Sequence, residues 1–259
     1  MIIKNVINEN NKIILEFDNE KIEVSINCWA RNYLRKDMDL SDEEINKIKL
    51  ESRMDLLIED GLKSLKQMKT EYEIYQYFLK KDSLIADEVL KYFKKRGYVD
   101  DLKYAKNYIL INKNKKGSKL IEYEMKEKHI DEEIISEALK NYSMEEENDL
   151  LEKLIIKELE LYKSGSINQF IQKITDKMIK KGFIPLNIKK IVEADAKILD
   201  NIDEGYSLLK DYEIIKRRFE KKYHGHELDN KIMTSLYSKG YKIDDIRKVR
   251  GDYYDGKEN

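Results

Sequence analysis

Residues 69–108 read KTEYEIYQYFLKKDSLIADEVLKYFKKRGYVDDLKYAKNY and predict two helices and the start of a third. Thr70 with Glu73 three residues later is the capping-box pattern that begins a helix. The break at residues 80–83 interrupts the apolar spacing, which restarts at Ile85 with helical periodicity. This stretch therefore predicts a helical protein with closely spaced helix ends.

The second helix of this stretch carries a strong end signal. Cations fill residues 94–96, and Gly97 follows them. Cations favour the last turn of a helix, and glycine readily adopts the positive φ that ends one. We therefore expect Gly97 to lie just past the helix with positive φ, and Asp100 and Asp101 to cap the next helix.

The order of these motifs resembles the RecX family of recombination regulators. The resemblance rests on Lys69-Thr70-x-x-Glu73-Ile74 and on Gly97-Tyr98-Val99-Asp100-Asp101-x-x-Tyr104-Ala105. The chain departs from the family pattern in having Gln67-Met68 where a proline is usual, and Val99 and Tyr104 where Leu and Phe are usual. Longer members of the family have an N-terminal β element and an extra three-helix repeat, which the length of this chain fits.

Composition favours a mainly helical, globular chain. Of the 259 residues, 41% are hydrophobic and 39% are charged, with one proline and ten glycines. The single cysteine, Cys28, excludes an intramolecular disulfide. The first residues lack the basic-then-apolar run of a secretory signal, and we expect a cytoplasmic protein that does not enter a membrane.

The N-terminal part reads as strands. Short β-branched runs at residues 2–6, 13–17 and 22–26 are separated by turn residues at 8–11 and 18–20. Three strands with one apolar face need a partner, so we expect them to pack on the first helix, with Cys28 and Trp29 in that contact.

From residue 41 onward the sequence repeats a three-helix pattern. Its breaks end at residues 82, 129, 182 and 240, which are 47, 53 and 58 apart. Cap patterns begin further helices at Ser41, Ser143 and Ser166. The predicted fold class is mainly α: tandem three-helix repeats in an elongated array, with a small N-terminal antiparallel β module. The predicted divisions are 1–40 for the β module, then 41–99, 100–142, 143–200 and 201–259.

No constellation indicates catalysis, a metal or a cofactor. His226-Glu227 begins like a zinc-protease helix, but Asn230 stands where the second histidine is needed. The pairs Asp100-Asp101 and Asp244-Asp245 read as helix caps rather than as acid–base groups. We therefore expect a protein that is not an enzyme and holds no cofactor.

The net charge of −1 hides strong segregation. Residues 91–128 hold 12 Lys and Arg against 5 Asp and Glu, whereas residues 129–162 hold 3 against 11. Further basic blocks lie at 173–190 and 214–224, with an acidic block between them. Nine residues are candidates for contact with a filament or with phosphate: Lys94, Lys95, Arg96, Lys113, Lys115, Lys116, Lys119, Arg217 and Arg218. We rank the loop 113–119 first, with Gly117 allowing it to follow a phosphate backbone.

The resemblance implies a modulator that binds RecA or lies, as a monomer, in the groove of the RecA–single-stranded DNA filament. It would damp ATP hydrolysis and strand exchange in recombination, and contact with single- or double-stranded DNA stays open. Two alternatives remain at this point. One is a sequence-dependent helix-turn-helix regulator, although only Asn168-Gln169 comes near a base-reading helix start. The other is a protein-only helical scaffold whose charges serve solubility.

Overall fold

The computed structural model describes residues 1–9, 12–195, 199 and 203–255. The predicted division at residues 200 and 201, and part of the predicted turn at 8–11, lie outside the described residues. Within them the predicted fold class is confirmed: helices dominate, and a three-stranded antiparallel sheet lies at the N-terminus.

The sheet consists of β1 (Asn5–Glu9), β2 (Lys12–Glu16) and β3 (Lys21–Ser25), in that spatial order. The predicted first strand and first turn were wrong in part. Ile2 makes only an isolated bridge, and Asn8 and Glu9 lie in β1, opposite Ile13 and Lys12. Their polar side chains are tolerated because β1 is an edge strand whose end is exposed.

The sheet packs on the first helices, as predicted. Its buried side chains form one cluster with Cys28 of α1 (Ile26–Arg31) and with Ile45 and Ile48 of α2 (Asp42–Ser64), and Trp29 packs half-buried against it. Burial raises the pKa of the Cys28 thiol to about 11. Cys28 is therefore a core residue in its protonated form.

Eleven further helices follow within the described residues. Their bounds are α3 Glu71–Lys81, α4 Ala86–Lys95, α5 Asp101–Asn112, α6 Ser118–Glu127, α7 Glu132–Leu139, α8 Met144–Leu159, α9 Ile167–Lys180, α10 Pro185–Asp195, α11 Gly205–Phe219, α12 Gly225–Ser238 and α13 Ile243–Asp255. Buried apolar residues form one cluster between α2, α3 and α4, another in α8–α10, and another in α11–α13. Each cluster joins helices that are consecutive in the sequence, which fits the predicted three-helix pattern.

The predicted helix starts are confirmed. Complete capping boxes stand at Ser41, Thr70 and Ser143, each with a glutamate three residues later. Ser166 accepts a hydrogen bond from the Gln169 amide at 3.3 Å. Local sequence therefore supplies a side-chain cap at each of these four N-termini.

Four helix ends share one left-handed turn. Gly97, Gly182 and Gly240 have φ of 69°, 89° and 88°, and His129 has φ of 57° at the equivalent place after α6. At each end the next residue's amide reaches back to a carbonyl in the last turn, as in a Schellman motif. The prediction for Gly97 is confirmed. The first predicted break is different, because Asp82 is extended with φ of −156°.

Three helix N-termini are capped by acids that lie far along the sequence. Asp101 accepts the Glu71 amide of α3 at 2.8 Å, and Glu147 accepts the Ser118 amide of α6 at 2.8 Å. Glu204 likewise accepts the Ile167 amide of α9. In each case a residue at or near the start of a later helix satisfies a free N–H group of an earlier one.

These caps correct one prediction. Asp100 does cap its own helix, accepting the Lys103 amide at 2.9 Å, but Asp101 caps α3 instead. Asp244 and Asp245 lie inside the first turn of α13 and pair with cations three residues on. Acids in the first turn interact favourably with the helix dipole without capping it, and spacing alone does not separate the two roles.

The loop before α6 packs tightly on the end of α9. The Gly117 amide donates to the Lys181 carbonyl at 2.8 Å, and the Lys119 amide donates to the Gly182 carbonyl at 3.1 Å. A Cβ on Gly117 would lie 2.4 Å from the Gly182 oxygen, and a Cβ on Gly182 would lie 2.2 Å from the Leu120 amide nitrogen. Only glycine at both positions permits this approach.

The chain separates into two compact units. The first comprises Met1–Asn107 with Met125–Ala138, and the second comprises Tyr108–Glu124 with Leu139–Asn259. The predicted division into a β module and four repeats stays a prediction. Among the described helices, none combines the length and the apolar character needed to span a bilayer.

Candidate nucleic-acid interface

The first group of predicted contact residues lies at the end of α4, in the first unit. The three side chains differ in their surroundings. Lys94 forms an ion pair with Glu71 at 2.5 Å, and this hydrogen bond raises the pKa of its ammonium group. Arg96 lies 5.5 Å from the centre of the Tyr92 ring. Lys95 is exposed and has no acidic partner within the described residues, so its charge faces solvent.

The second group is the loop 113–119 in the second unit, where most lysines are already engaged. Lys113 binds Glu146 at 2.6 Å, Lys116 binds Glu124 at 2.7 Å, and Lys119 binds Glu122 at 2.9 Å. The Tyr142 hydroxyl also donates to the loop carbonyls of residues 113 and 116. These contacts hold the loop in one conformation.

Lys115 differs from its neighbours in this loop. It is exposed and has no acidic partner within the described part of the chain. Gly117, expected to let the loop follow a phosphate backbone, instead provides the close approach to Gly182 described above. The structure therefore gives Gly117 a packing role and leaves Lys115 as the lysine most open to an external anion.

The third group, Arg217 and Arg218, lies in the last turn of α11 in the second unit. The Arg217 side chain is 79% exposed and stands 3.8 Å from Glu213, which is a weak pair at such exposure. Arg218 is exposed and lies 5.8 Å from the centre of the Phe219 ring. Both guanidinium groups can reach a partner beyond the helix end.

The sequence analysis did not identify the acidic residues that form ion pairs with these lysines and so compete with a polyanion for them. Glu71, Glu124 and Glu146 each hold a candidate lysine, although none is its neighbour in sequence. Only the Lys119–Glu122 pair, at a spacing of three, could have been found from helical spacing. The other pairings depend on tertiary packing.

The base-reading candidate Asn168 and the zinc-like motif each make a hydrogen bond within the protein. The Asn168 side-chain amide donates to the Gly240 carbonyl at 2.9 Å, and Asn230 is hydrogen-bonded to His226 at 3.0 Å. Among the described residues no group of three His, Cys, Asp or Glu side chains is arranged to hold a metal ion.

Comparison with known proteins identifies relatives of this chain. Residues 100–139 match the family described as RecX, second three-helix domain. The regulatory protein RecX of Oceanobacillus iheyensis is 31% identical over 220 residues, which is 83% of this chain and 81% of that protein. That of Streptococcus uberis is 27% identical over 91% of this chain and 93% of that protein.

Two solved structures share the fold. The crystal structure of a regulatory protein RecX has a TM-score of 0.63 and 22% identity, covering 74% of this chain and 98% of that one. The crystal structure of RecX from Lactobacillus salivarius has a TM-score of 0.52 and 23% identity, covering 56% of this chain and 97% of that one. These findings define a regulatory protein built from three-helix repeats. The chain belongs to the RecX family.

Proposed function

We propose that this chain is a non-enzymatic modulator of RecA that binds in the groove of the RecA–single-stranded DNA filament and damps its ATP hydrolysis and strand exchange. Membership of the RecX family supports this proposal. The observation that carries it is the presence of exposed, weakly paired cations in all three predicted groups, namely Lys95, Arg96, Lys115, Arg217 and Arg218. Such cations contact phosphate without first losing a strong internal partner.

The remaining four candidate lysines make secondary contacts with the filament rather than the main contact. Lys94, Lys113, Lys116 and Lys119 each hold a carboxylate. Exposed ion pairs contribute only about 0–1 kcal/mol, so a phosphate can displace a carboxylate at small cost. The half-buried pairs of Lys113 and Lys116 are the costliest to break, because their charges are partly removed from water.

The test is DNA-dependent ATP hydrolysis by RecA on single-stranded DNA, with this protein at substoichiometric amounts. We expect the wild-type protein to reduce the rate and a variant with Lys95→Glu, Lys115→Glu and Arg217→Glu to do so much less. The matched control reverses three exposed lysines outside these groups, Lys47, Lys63 and Lys189, and should inhibit as the wild type does. Equal loss of inhibition in both variants would refute the assignment of the surface.

The sequence-dependent helix-turn-helix alternative has less support. Asn168, the residue nearest to a base-reading position, is already bonded to the Gly240 carbonyl. Direct readout needs side chains that are free to form two hydrogen bonds to a base edge. Affinity for duplex DNA that changes with base sequence would favour this alternative over filament binding.

A further inference from the structure

A small pocket opens in the first unit, where the loop before α3 meets the turn after α4. Its volume is about 190 Å³, and its wall includes Met68, Lys69, Tyr98, Asp100 and Lys103. Pockets for drug-sized ligands measure roughly 300–1,000 Å³, so this one suits a single flat ring rather than a whole cofactor.

Tyr98 is unusual among equivalent residues of this chain. In the four Schellman turns, the residue after the left-handed position is Tyr98, Ile130, Phe183 or Tyr241. The last three are at most 4% exposed, whereas Tyr98 is 42% exposed. One side of its ring packs on Phe93, with ring centres 5.4 Å apart, which is the apolar contact that this turn requires. The ring centre also lies 6.2 Å from that of Tyr92. These two contacts with α4 account for part of the ring and leave the rest of it exposed to solvent.

A methionine and two lysines line the pocket beside the exposed part of the Tyr98 ring. Met68 is 53% exposed beside it, and a thioether makes favourable contacts with aromatic rings. Lys69 and Lys103 line the same pocket, and neither has an acidic partner at ion-pair distance within the described residues. Lys103 is exposed, whereas Lys69 is half-buried with its ammonium group 5.4 Å from the centre of the Tyr77 ring. The carboxylate of Asp100 is occupied by the Lys103 amide. The pocket thus combines an exposed aromatic ring with two cations, of which Lys103 is the more available.

We infer that this pocket takes one unpaired base of single-stranded DNA, stacked on Tyr98 with Met68 at its edge. Lys69 and Lys103 then lie on the path of the flanking phosphates. Stacking on an aromatic side chain suits this task because every base has a flat face, so binding does not depend on sequence. A phosphate alone would need the cations but not the exposed ring. The inference rests on the proposed function only in taking single-stranded DNA as the nucleic acid.

The experiment measures binding of the full chain to labelled oligo-dT, and to an abasic oligonucleotide of the same length and charge, by fluorescence anisotropy without RecA. We expect the wild type to prefer oligo-dT. Tyr98→Ala should weaken oligo-dT binding by about 5- to 150-fold and leave abasic binding unchanged. Tyr98→Phe keeps the ring and should bind as the wild type does. Tyr237→Ala, on a tyrosine of α12 that is more exposed than Tyr98, is the control and should have no effect.

Two further measurements keep the inference open to refutation. Tyr98→Leu retains an apolar contact with Phe93, so it replaces the alanine variant if that variant unfolds. Lys103→Gln should reduce the salt slope of binding by about 0.7, since one phosphate contact is lost. Equal binding of wild type and Tyr98→Leu to oligo-dT would overturn the inference. It would also be overturned if Tyr98 variants lost RecA inhibition while keeping full oligo-dT affinity, since the ring would then contact protein. A wild type that prefers oligo-dT but leaves RecA unaffected would support the pocket and refute the proposed function.

Discussion

Gly182 provides the sharpest test of how the helices are joined, because Gly97 is its natural control. Both end a helix with positive φ, but a Cβ on Gly97 would meet nothing within 4 Å, whereas one on Gly182 would overlap the Leu120 backbone. The left-handed conformation alone should make Gly97→Ala cost about 1–2 kcal/mol. Gly182→Ala adds overpacking and disturbs two backbone hydrogen bonds, for a total of about 2–5 kcal/mol.

The measurement is urea unfolding followed by circular dichroism, together with amide hydrogen exchange. In Gly182→Ala the amides of Gly117 and Lys119 should lose protection, because they donate to the carbonyls of residues 181 and 182. In Gly97→Ala those two amides should keep the protection of the wild type. Equal destabilisation by the two substitutions, with unchanged exchange at Gly117 and Lys119, would refute the packing role of this glycine pair.

Three further predictions concern the caps and the loop. Burial raises the pKa of the Asp101 carboxyl above its ordinary value of 3.8. Between these two pKa values the folded state therefore binds more protons than the unfolded state. As pH rises from 3.8 through the raised pKa, the free energy of unfolding of the wild type should therefore fall relative to that of Asp101→Asn. Urea titrations at several pH values measure this, and a difference between the two proteins that does not change with pH would contradict it. Glu147→Ala should cost about 1–2 kcal/mol by leaving a helix N–H group unpaired, and Glu147→Gln much less, by thermal unfolding; equal losses would show that the oxygen acceptor does not matter. Lys115→Glu should weaken filament binding at unchanged stability, whereas Lys116→Glu, which faces Glu124, should lower stability by about 1 kcal/mol; the reverse pattern would refute the ranking.

Local signals predicted much of the fold. The capping-box patterns at Thr70 and Ser143 predicted two helix starts, and Gly97 predicted a helix end. These predictions succeed because the interactions involved lie within a few residues along the chain. His129 adopts the same left-handed turn without glycine, with its ring against Tyr72 at 3.8 Å between centres. The polar residues at the end of β1 do not have a strand-like sequence pattern. They adopt a strand because they pair with β2.

The candidate surface was predictable only in its residue types. Sequence showed where cations are concentrated, but the partners of Lys113 and Lys116 are set by packing between separate helices. Asp101 was read as the cap of its own helix because the N-terminus of α3 is 30 residues away in sequence. The exposure of Tyr98 likewise follows from which helix ends are covered by other elements.

The long-range caps have a consequence for how the chain is made. The acids that cap α3, α6 and α9 follow the capped amides by 30, 29 and 37 residues. At a synthesis rate of about 5–20 residues per second, each of these helices leaves the ribosome about 1.5–7 s before its acid does. During that interval the amide of the first residue of the helix, which the acid will later accept, depends on water. Translation order therefore makes α5, α8 and the start of α11 each supply an acid that completes the cap of a helix two positions earlier. A chain stopped just short of Glu147 or Glu204 would leave the first amide of α6 or α9 without its protein acceptor.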